Sequence, residues 1–224
     1  MVPHPFLGLA PVAILLLLAV GSAAGDAPPA GHVHFPGSRI ILNNATWGAA
    51  VNSWAKKPAA QAWHLCYSSF TDTPNTPATF HKQCDPHNNA MVFARNSIGR
   101  VFGGYAAKPW NYTACCAVSE NKCYPNGGGC YDRSAASDFL FRLQPGKAER
   151  FLPIGGTDND WYQCSHAASN YWPAWGDLDL YMGYDGPPGH NGYCQQGHTY
   201  AGSLDEACGG EGNWGPTDLE VWFL

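Results

Sequence analysis

The sequence predicts a mainly β domain: a sandwich of two antiparallel sheets with two short helices near its N-terminus. Three observations lead to this prediction. Short segments in which apolar and polar residues alternate recur along the chain, as expected of half-buried strands. Helical spacing of apolar residues is confined to two early segments. Turns separate these segments, and the 26 glycines and 18 prolines supply them.

The first helix is predicted to begin after Asn44, whose side chain can cap it, and to end before Pro58. Residues at i, i+4 and i+7 then share one buried face: Trp47, Val51 and Trp54. The second helix should begin at Thr76 and Pro77, a common pair at helix starts, and run to about Cys84.

Strands are predicted over residues 63–67, 90–94, 100–105, 138–143, 151–154, 177–182 and 217–224. Residues 95–99 are predicted to form a turn between the strands at 90–94 and 100–105, so these two strands form a hairpin. Gly103 and Gly104 predict a bulge or a close backbone approach. In the last strand, Asp218, Glu220 and Trp222 are expected to face outward.

Residues 1–24 are predicted to be a secretory signal peptide. An apolar run from Phe6 to Val20 is followed by small residues, and Ser22 and Ala24 match the pattern that signal peptidase requires. A membrane anchor is the alternative, but a span needs about 20 apolar residues and this run is shorter. Residues 25–37 are then a linker, and 38–224 a single domain with a cysteine-rich insertion at 111–133.

All nine cysteines follow the predicted signal, where disulfides are the default. Structural zinc is the alternative, which the irregular spacing without a CxxC pair disfavours. We expect Cys194 to bond with Cys208, and Cys66 with Cys84 is a candidate pair. Cys164 is then the free or cross-chain thiol. Four cysteines are expected to staple the insertion: Cys115, Cys116, Cys123 and Cys130.

Two sequons make Asn44 and Asn111 predicted glycan acceptors. All charged side chains follow residue 24, so the net charge of −5 belongs to the predicted mature chain. This charge, without a basic run, argues against nucleic acid and against an anionic membrane surface as partners.

Seven segments, in this order, resemble the TLDc domain: residues 38–42, 63–69, 80–85, 100–105 with Trp110 close behind, 138–143, 175–181 and 217–222. The resemblance implies a β-sandwich with flanking helices. Better-known members of the family are intracellular, are linked to resistance against oxidative stress, and in several cases engage the vacuolar proton pump. No catalytic mechanism is agreed for the family. The chain departs from it by its predicted signal, its insertion, and Cys164, Cys194 and Cys208, so the pump function is not carried over.

The candidate functional carboxylates are Asp177, Asp179 and Glu220, which alternate outward on predicted strands. If their strands were neighbours, Asp179 and Glu220 could form an acid–base pair. Four tryptophans in predicted loops could form an exposed ligand-binding patch: Trp161, Trp172, Trp175 and Trp214. Neither a serine-hydrolase elbow nor a zinc-protease motif occurs, and we predict no catalytic residue, no metal and no cofactor.

The sequence thus favours a secreted, non-enzymatic module that binds an extracellular protein or glycan, or that contributes to protection against oxidative stress. Two alternatives remain. One is a secreted hydrolase that uses the strand carboxylates as acid and base. The other is a structural component of a wall or matrix.

Overall fold

The structure is a computed structural model. It describes residues 33–42, 44–111, 117, 122–124, 129–132, 137–154, 163–165, 171–176, 179–183, 185–190, 192–194, 199–202 and 215–224. Of residues 122–124, 129–132, 163–165 and 193 it describes the backbone. The predicted signal peptide lies outside the described residues.

Both predicted helices are confirmed. Helix α1 spans Ala45–Trp54, and the Asn44 side chain accepts a hydrogen bond from the Trp47 N–H at its start. Helix α2 spans Pro77–Cys84, and Thr76 caps it by accepting from the Thr79 N–H. In both helices a polar side chain satisfies a backbone donor that the first turn leaves without a partner.

The strands are β1 (His64–Ser68), β2 (Ala90–Asn96), β3 (Val101–Ala106), β4 (Lys122–Tyr124), β5 (Gly129–Asp132), β6 (Phe139–Gln144), β7 (Lys147–Phe151), β8 (Gln163–Ser165), β9 (Ala174–Trp175), β10 (Leu180–Tyr181), β11 (Tyr193–Cys194) and β12 (Pro216–Phe223). The hairpin of β2 and β3 is confirmed. Two differences from prediction stand out. Strand β7 ends where a strand at 151–154 was predicted to begin, and the insertion, predicted as an irregular loop, contains β4 and β5.

The first sheet has the antiparallel order β1-β12-β2-β3-β6-β7. The C-terminal strand β12 therefore lies inside the sheet, with β1 on one side and β2 on the other. The second sheet consists of strands of two to four residues in the order β11-β10-β9-β8-β5-β4. Strands β10 and β12 thus belong to different sheets.

The central strands of the first sheet are buried on both faces. On its central strands one core cluster receives Val92, Ala94, Phe102, Leu140 and Val221, and also holds Trp175 and Leu180 from the second sheet. The alternate residues enter another cluster with Met91, Phe93, Val101, Phe141 and Trp222. Because successive side chains on a strand point to opposite faces, a strand covered on both sides buries nearly every residue.

The second cluster is completed by helix α1 and by residues 33–42, which cover that face of the sheet. Phe35 is fully buried and packs edge-on against Phe93 and Trp222 and in a stacked arrangement with Trp63. Burying such a side chain contributes about 1.5–3 kcal/mol. Phe35, which falls within the predicted linker of residues 25–37, therefore contributes to the core of the domain.

Gly104 allows a close approach between β3 and the second sheet. The sequence predicted either such an approach or a bulge at Gly103 and Gly104. A Cβ atom built on Gly104 would lie 2.7 Å from Cε2 of the Trp175 ring. The predicted bulge is absent from β3, because its register with β2 runs without a shift from Val101 to Ala106. The missing side chain is what lets the indole lie directly on the strand.

Candidate functional site

Glu220, predicted to face solvent on the last strand, is buried with 1% of its surface exposed. Its Oε2 accepts from the Ser38 hydroxyl at 2.6 Å and from the Trp222 indole at 3.3 Å. Its Oε1 accepts from the Arg39 N–H at 2.8 Å. The Ser38 oxygen in turn accepts from the Ile41 N–H at 3.2 Å. This one carboxylate therefore joins the C-terminal strand to the segment before the first helix.

The alternation placed Glu220 on the correct face, opposite Leu219 and Val221, but its exposure was predicted wrongly. Residues 33–42 cover that face, and three donors replace the water that a solvated carboxylate would bind. A buried carboxylate is tolerated only when such donors surround it. Ser38 and Arg39 lie in a segment that carried the family resemblance, but the pattern gave neither residue a role.

Above this carboxylate, two arginines and one phenylalanine form a surface cluster, which we call the Arg39–Phe70–Arg95 cluster. The guanidinium carbon of Arg39 lies 4.2 Å from the Phe70 ring centroid, and that of Arg95 lies 5.7 Å from it. Arg95 donates to Asp218 through Nε at 2.8 Å and Nη2 at 2.7 Å, and its Nη1 donates to the Arg39 carbonyl at 3.4 Å. Two cations and one anion thus meet around a single half-buried ring.

Asp179, also predicted to face outward, is buried with 2% exposed. Its carboxylate accepts from the Thr199 N–H at 2.9 Å and from the Tyr200 N–H at 3.2 Å. A Cβ atom on Gly176 would lie 2.4 Å from Asp179 Oδ2, so the backbone of that turn passes directly beside the carboxylate. Asp179 therefore holds two loop segments together.

The pairing of Asp179 with Glu220 was predicted on the condition that their strands lie side by side, and this condition is not met. Asp179 directly precedes β10, which pairs with β9 and β11, whereas Glu220 lies on β12 between β1 and β2. The third candidate carboxylate, Asp177, lies outside the described residues.

Two of the four candidate ligand tryptophans are buried, so they do not belong to an exposed patch. Trp172 has 2% and Trp175 has 0% of its surface exposed. The Trp172 indole donates to the Gly186 carbonyl at 3.1 Å, and that of Trp175 to the Tyr105 carbonyl at 3.2 Å. Their loops looked solvated because they are rich in glycine and proline, yet indoles of this kind fill the core when their N–H finds an acceptor. Trp161 and Trp214 lie outside the described residues.

The Cys66–Cys84 disulfide is confirmed, with Cα atoms 5.5 Å apart, and it ties β1 to the end of α2. Cys194 is also disulfide-bonded. Its pairing with Cys208 stays a prediction, because Cys208 lies outside the described residues. The cysteines of the hairpin in the insertion, Cys123 and Cys130, face each other in the strand register. Cys115 and Cys116 lie outside the described residues, as does the side chain of Cys164.

A second polar cluster surrounds Tyr105. Its hydroxyl donates to Asn89 Oδ1 at 2.7 Å, and Lys57 Nζ donates to the same oxygen at 2.8 Å. Burial, and then the nearby negative charge of Asp138, raise the pKa of Tyr105 to about 12. Tyr105 therefore remains a neutral hydrogen-bond donor at physiological pH, which suits a structural role.

His81 links helix α2 to Tyr171, which lies just before strand β9 of the second sheet. Its Nδ1 lies 2.8 Å from Asp85 Oδ1, and its Nε2 lies 2.8 Å from the Tyr171 carbonyl oxygen. Within the described parts of the chain, no group of three histidine, cysteine or acidic residues is arranged to hold a metal ion. A search of the same parts for a helix long and apolar enough to cross a membrane found none.

Both glycan acceptors predicted from the sequons lie among the described residues. Asn44 is partly exposed at the start of α1, with its Oδ1 engaged in capping. Asn111 is partly exposed just before the undescribed part of the insertion. Whether either carries a glycan stays a prediction.

The chain matches a known protein family. A profile of the TLDc domain matches residues 35–224, which is most of the chain and includes every described helix and strand. No curated protein matches the chain. The matched region begins at Phe35, in agreement with the burial of that residue in the core.

Proposed function

The chain belongs to the TLDc domain family, and we propose that it is a secreted module of this family that binds an extracellular partner and catalyses no reaction. A protein partner is the form of this proposal that we prefer, with a glycan as the alternative, because two of the four candidate ligand tryptophans are buried. The finer fold that we propose is the two-sheet sandwich predicted from the sequence. The packing of Trp175 on Gly104 supports it.

The observation that carries the proposal is that the candidate carboxylates Glu220 and Asp179 are hydrogen-bonded within the protein. Both oxygens of Glu220 and both oxygens of Asp179 accept hydrogen bonds from the protein itself. A general acid or base must reach the proton that it transfers on a substrate. Carboxylates that are buried and occupied in this way favour structural support over hydrolysis.

The Cys66–Cys84 disulfide bears on compartment and on redox function. Disulfides persist in oxidising compartments, so this bond supports secretion. It also weighs against redox buffering by these two residues, because the pair is already oxidised and Cys84 is 1% exposed. Partner binding is therefore preferred to a direct antioxidant role.

The experiment is a paired screen on the chain purified from a eukaryotic secretory host. One arm measures turnover of a panel of glycoside, ester and peptide substrates, and the other measures binding to arrays of extracellular proteins and glycans. We expect saturable binding to a protein and no turnover. Turnover that Glu220→Gln abolishes, in a chain that still folds, would establish the hydrolase instead. Recovery of the chain only in an insoluble wall or matrix fraction would favour the structural alternative.

A further inference from the structure

In the Arg39–Phe70–Arg95 cluster, Arg39 is held in position while its guanidinium remains accessible to a ligand. The Arg39 N–H is fixed by Glu220, its carbonyl oxygen by Arg95, and its guanidinium by stacking on Phe70. Arg39 is exposed, and nowhere in the described part of the chain does an oxygen accept a hydrogen bond from its guanidinium. The backbone and the stem are therefore positioned, while the donors of the fork remain available.

The two guanidinium groups of the cluster differ in whether they have a carboxylate partner. Arg95 is neutralised by Asp218, to which it donates through two nitrogens. The guanidinium of Arg39 forms no ion pair with any described residue, because the nearby Glu220 carboxylate accepts from its backbone N–H instead. Stacking also restricts the rotamers of Arg39, which lowers the entropic cost of immobilising it in a complex.

We propose that Arg39, supported by Phe70 and Arg95, binds a single carboxylate of a protein partner, from an acidic side chain or a chain terminus. This inference rests on the proposed function and names the chemistry of its partner. The planar guanidinium matches a carboxylate with two parallel hydrogen bonds. A polysulfated glycan would need a row of cations without ion-pair partners. Here it would meet one such cation, Arg39, with the carboxylates of Asp218 and Glu220 nearby.

The test follows the Nε–Hε resonances of the arginines by NMR while acetate is added to the purified chain. Arg100 is the internal control, because no acceptor for its guanidinium and no ring beneath it is described. We expect acetate to bind at Arg39 with a Kd about tenfold lower than at Arg100, since tenfold is the effect of about 1.4 kcal/mol. Arg39→Lys, followed through the backbone N–H of residue 39 because lysine has no Nε–Hε group, should lose the difference, because it keeps the charge and removes the fork. Phe70→Leu should reduce it.

A heparin hexasaccharide provides the competing arm. Saturable heparin binding at Arg39, tighter than that of an acetylated glutamate peptide, would replace the carboxylate ligand with a polyanion and overturn the proposal. Equal acetate affinities at Arg39 and Arg100 would also overturn it. Neither result bears on whether the chain binds a partner elsewhere. Conversely, substrate turnover by a chain that binds acetate at Arg39 would reject the proposed function and keep this site.

Discussion

At the scale of single residues, the sequence predicts correctly on which side of its strand Glu220 lies, but it predicts wrongly that this side is exposed to solvent. The alternation of β12 places it opposite Leu219 and Val221, and it does lie there. Its surroundings depend on Ser38 and Arg39, which are about 180 positions away in the chain. A carboxylate on a half-exposed strand is hydrated by water, whereas the Glu220 carboxylate accepts hydrogen bonds from protein donors. Glu220 therefore links two segments of the chain and is no longer a candidate reactant.

We predict that Glu220→Gln lowers the free energy of unfolding by about 1–3 kcal/mol, the cost of a mismatched buried hydrogen bond. The amide turns one acceptor into a donor, which then faces the Ser38 hydroxyl and the Trp222 N–H. From the sequence alone we would expect this change to leave folding nearly unaffected. Urea unfolding measures the difference.

The matched control is Asp185→Asn, which makes the same chemical change on an exposed residue with no described contact. At its φ of 45°, asparagine is well tolerated. We expect a change within about 0.5 kcal/mol for this variant. Equal stabilities for the two variants would show that the hydrogen bonds of Glu220 contribute nothing.

At the scale of elements, β3 and β9 depend on a glycine for their contact. Gly104 lies in the middle of a strand, where glycine is usually unfavourable. The Trp175 ring occupies the space that a side chain would need. The intrinsic cost of glycine in a strand is therefore offset by indole packing.

We predict that Gly104→Ala destabilises the protein by about 1–3 kcal/mol, because the added methyl overpacks the core against the fully buried Trp175 ring. Thermal unfolding is the measurement. The control is Gly48→Ala within α1, whose added Cβ would lie 3.6 Å from the side chains of His34 and Phe35, an ordinary van der Waals distance. There we expect no loss, and up to about 1 kcal/mol of gain from helix propensity. A neutral Gly104→Ala would mean that the sheets separate more easily than the packing implies.

At the scale of the whole molecule, the last strand closes the first sheet. Strand β12 lies between β1 and β2, so the sheet is incomplete until the C-terminus is in place. Disulfides add further long connections: Cys66–Cys84 ties β1 to α2, and Cys194 belongs to another bond. Cross-links of this kind limit the conformations of the unfolded chain.

Peptide mapping without reduction should find Cys194 linked to Cys208. Thirteen residues separate the two, including Gly197 and Gly202, so the loop can close to the Cα distance of about 6 Å that a disulfide needs. In the chain-entropy account such a loop contributes about 3 kcal/mol. A Cys194 peptide joined to any other cysteine contradicts the pairing. Alkylation of a thiol other than Cys164 contradicts the assignment of the leftover cysteine.

Chain secreted from a eukaryotic host should begin after Ala24 and carry glycans on Asn44 and Asn111. The expectation follows from the apolar run that ends in small residues and from the two sequons. N-terminal sequencing and the mass shift after glycosidase treatment measure the two parts. A secreted chain that still begins at Met1, or a mass unchanged by the enzyme, would refute the corresponding part.

The sequence by itself determined the elements that local rules govern. Asn44 and Thr76 mark both helix starts because capping is a contact within one turn. The hairpin of β2 and β3 is determined by alternation and one turn. The sequence alone also allowed the family to be recognised, because the motifs of the family follow one another along the chain.

Only the tertiary structure decided which faces meet water. Residues 33–42 cover Glu220, the Trp175 indole is buried on Gly104, and Asp179 is enclosed by Thr199 and Tyr200. The Arg39–Phe70–Arg95 cluster joins three segments that no periodicity connects. Alternation states on which side of a strand a residue lies, but what packs on that side comes from distant parts of the chain.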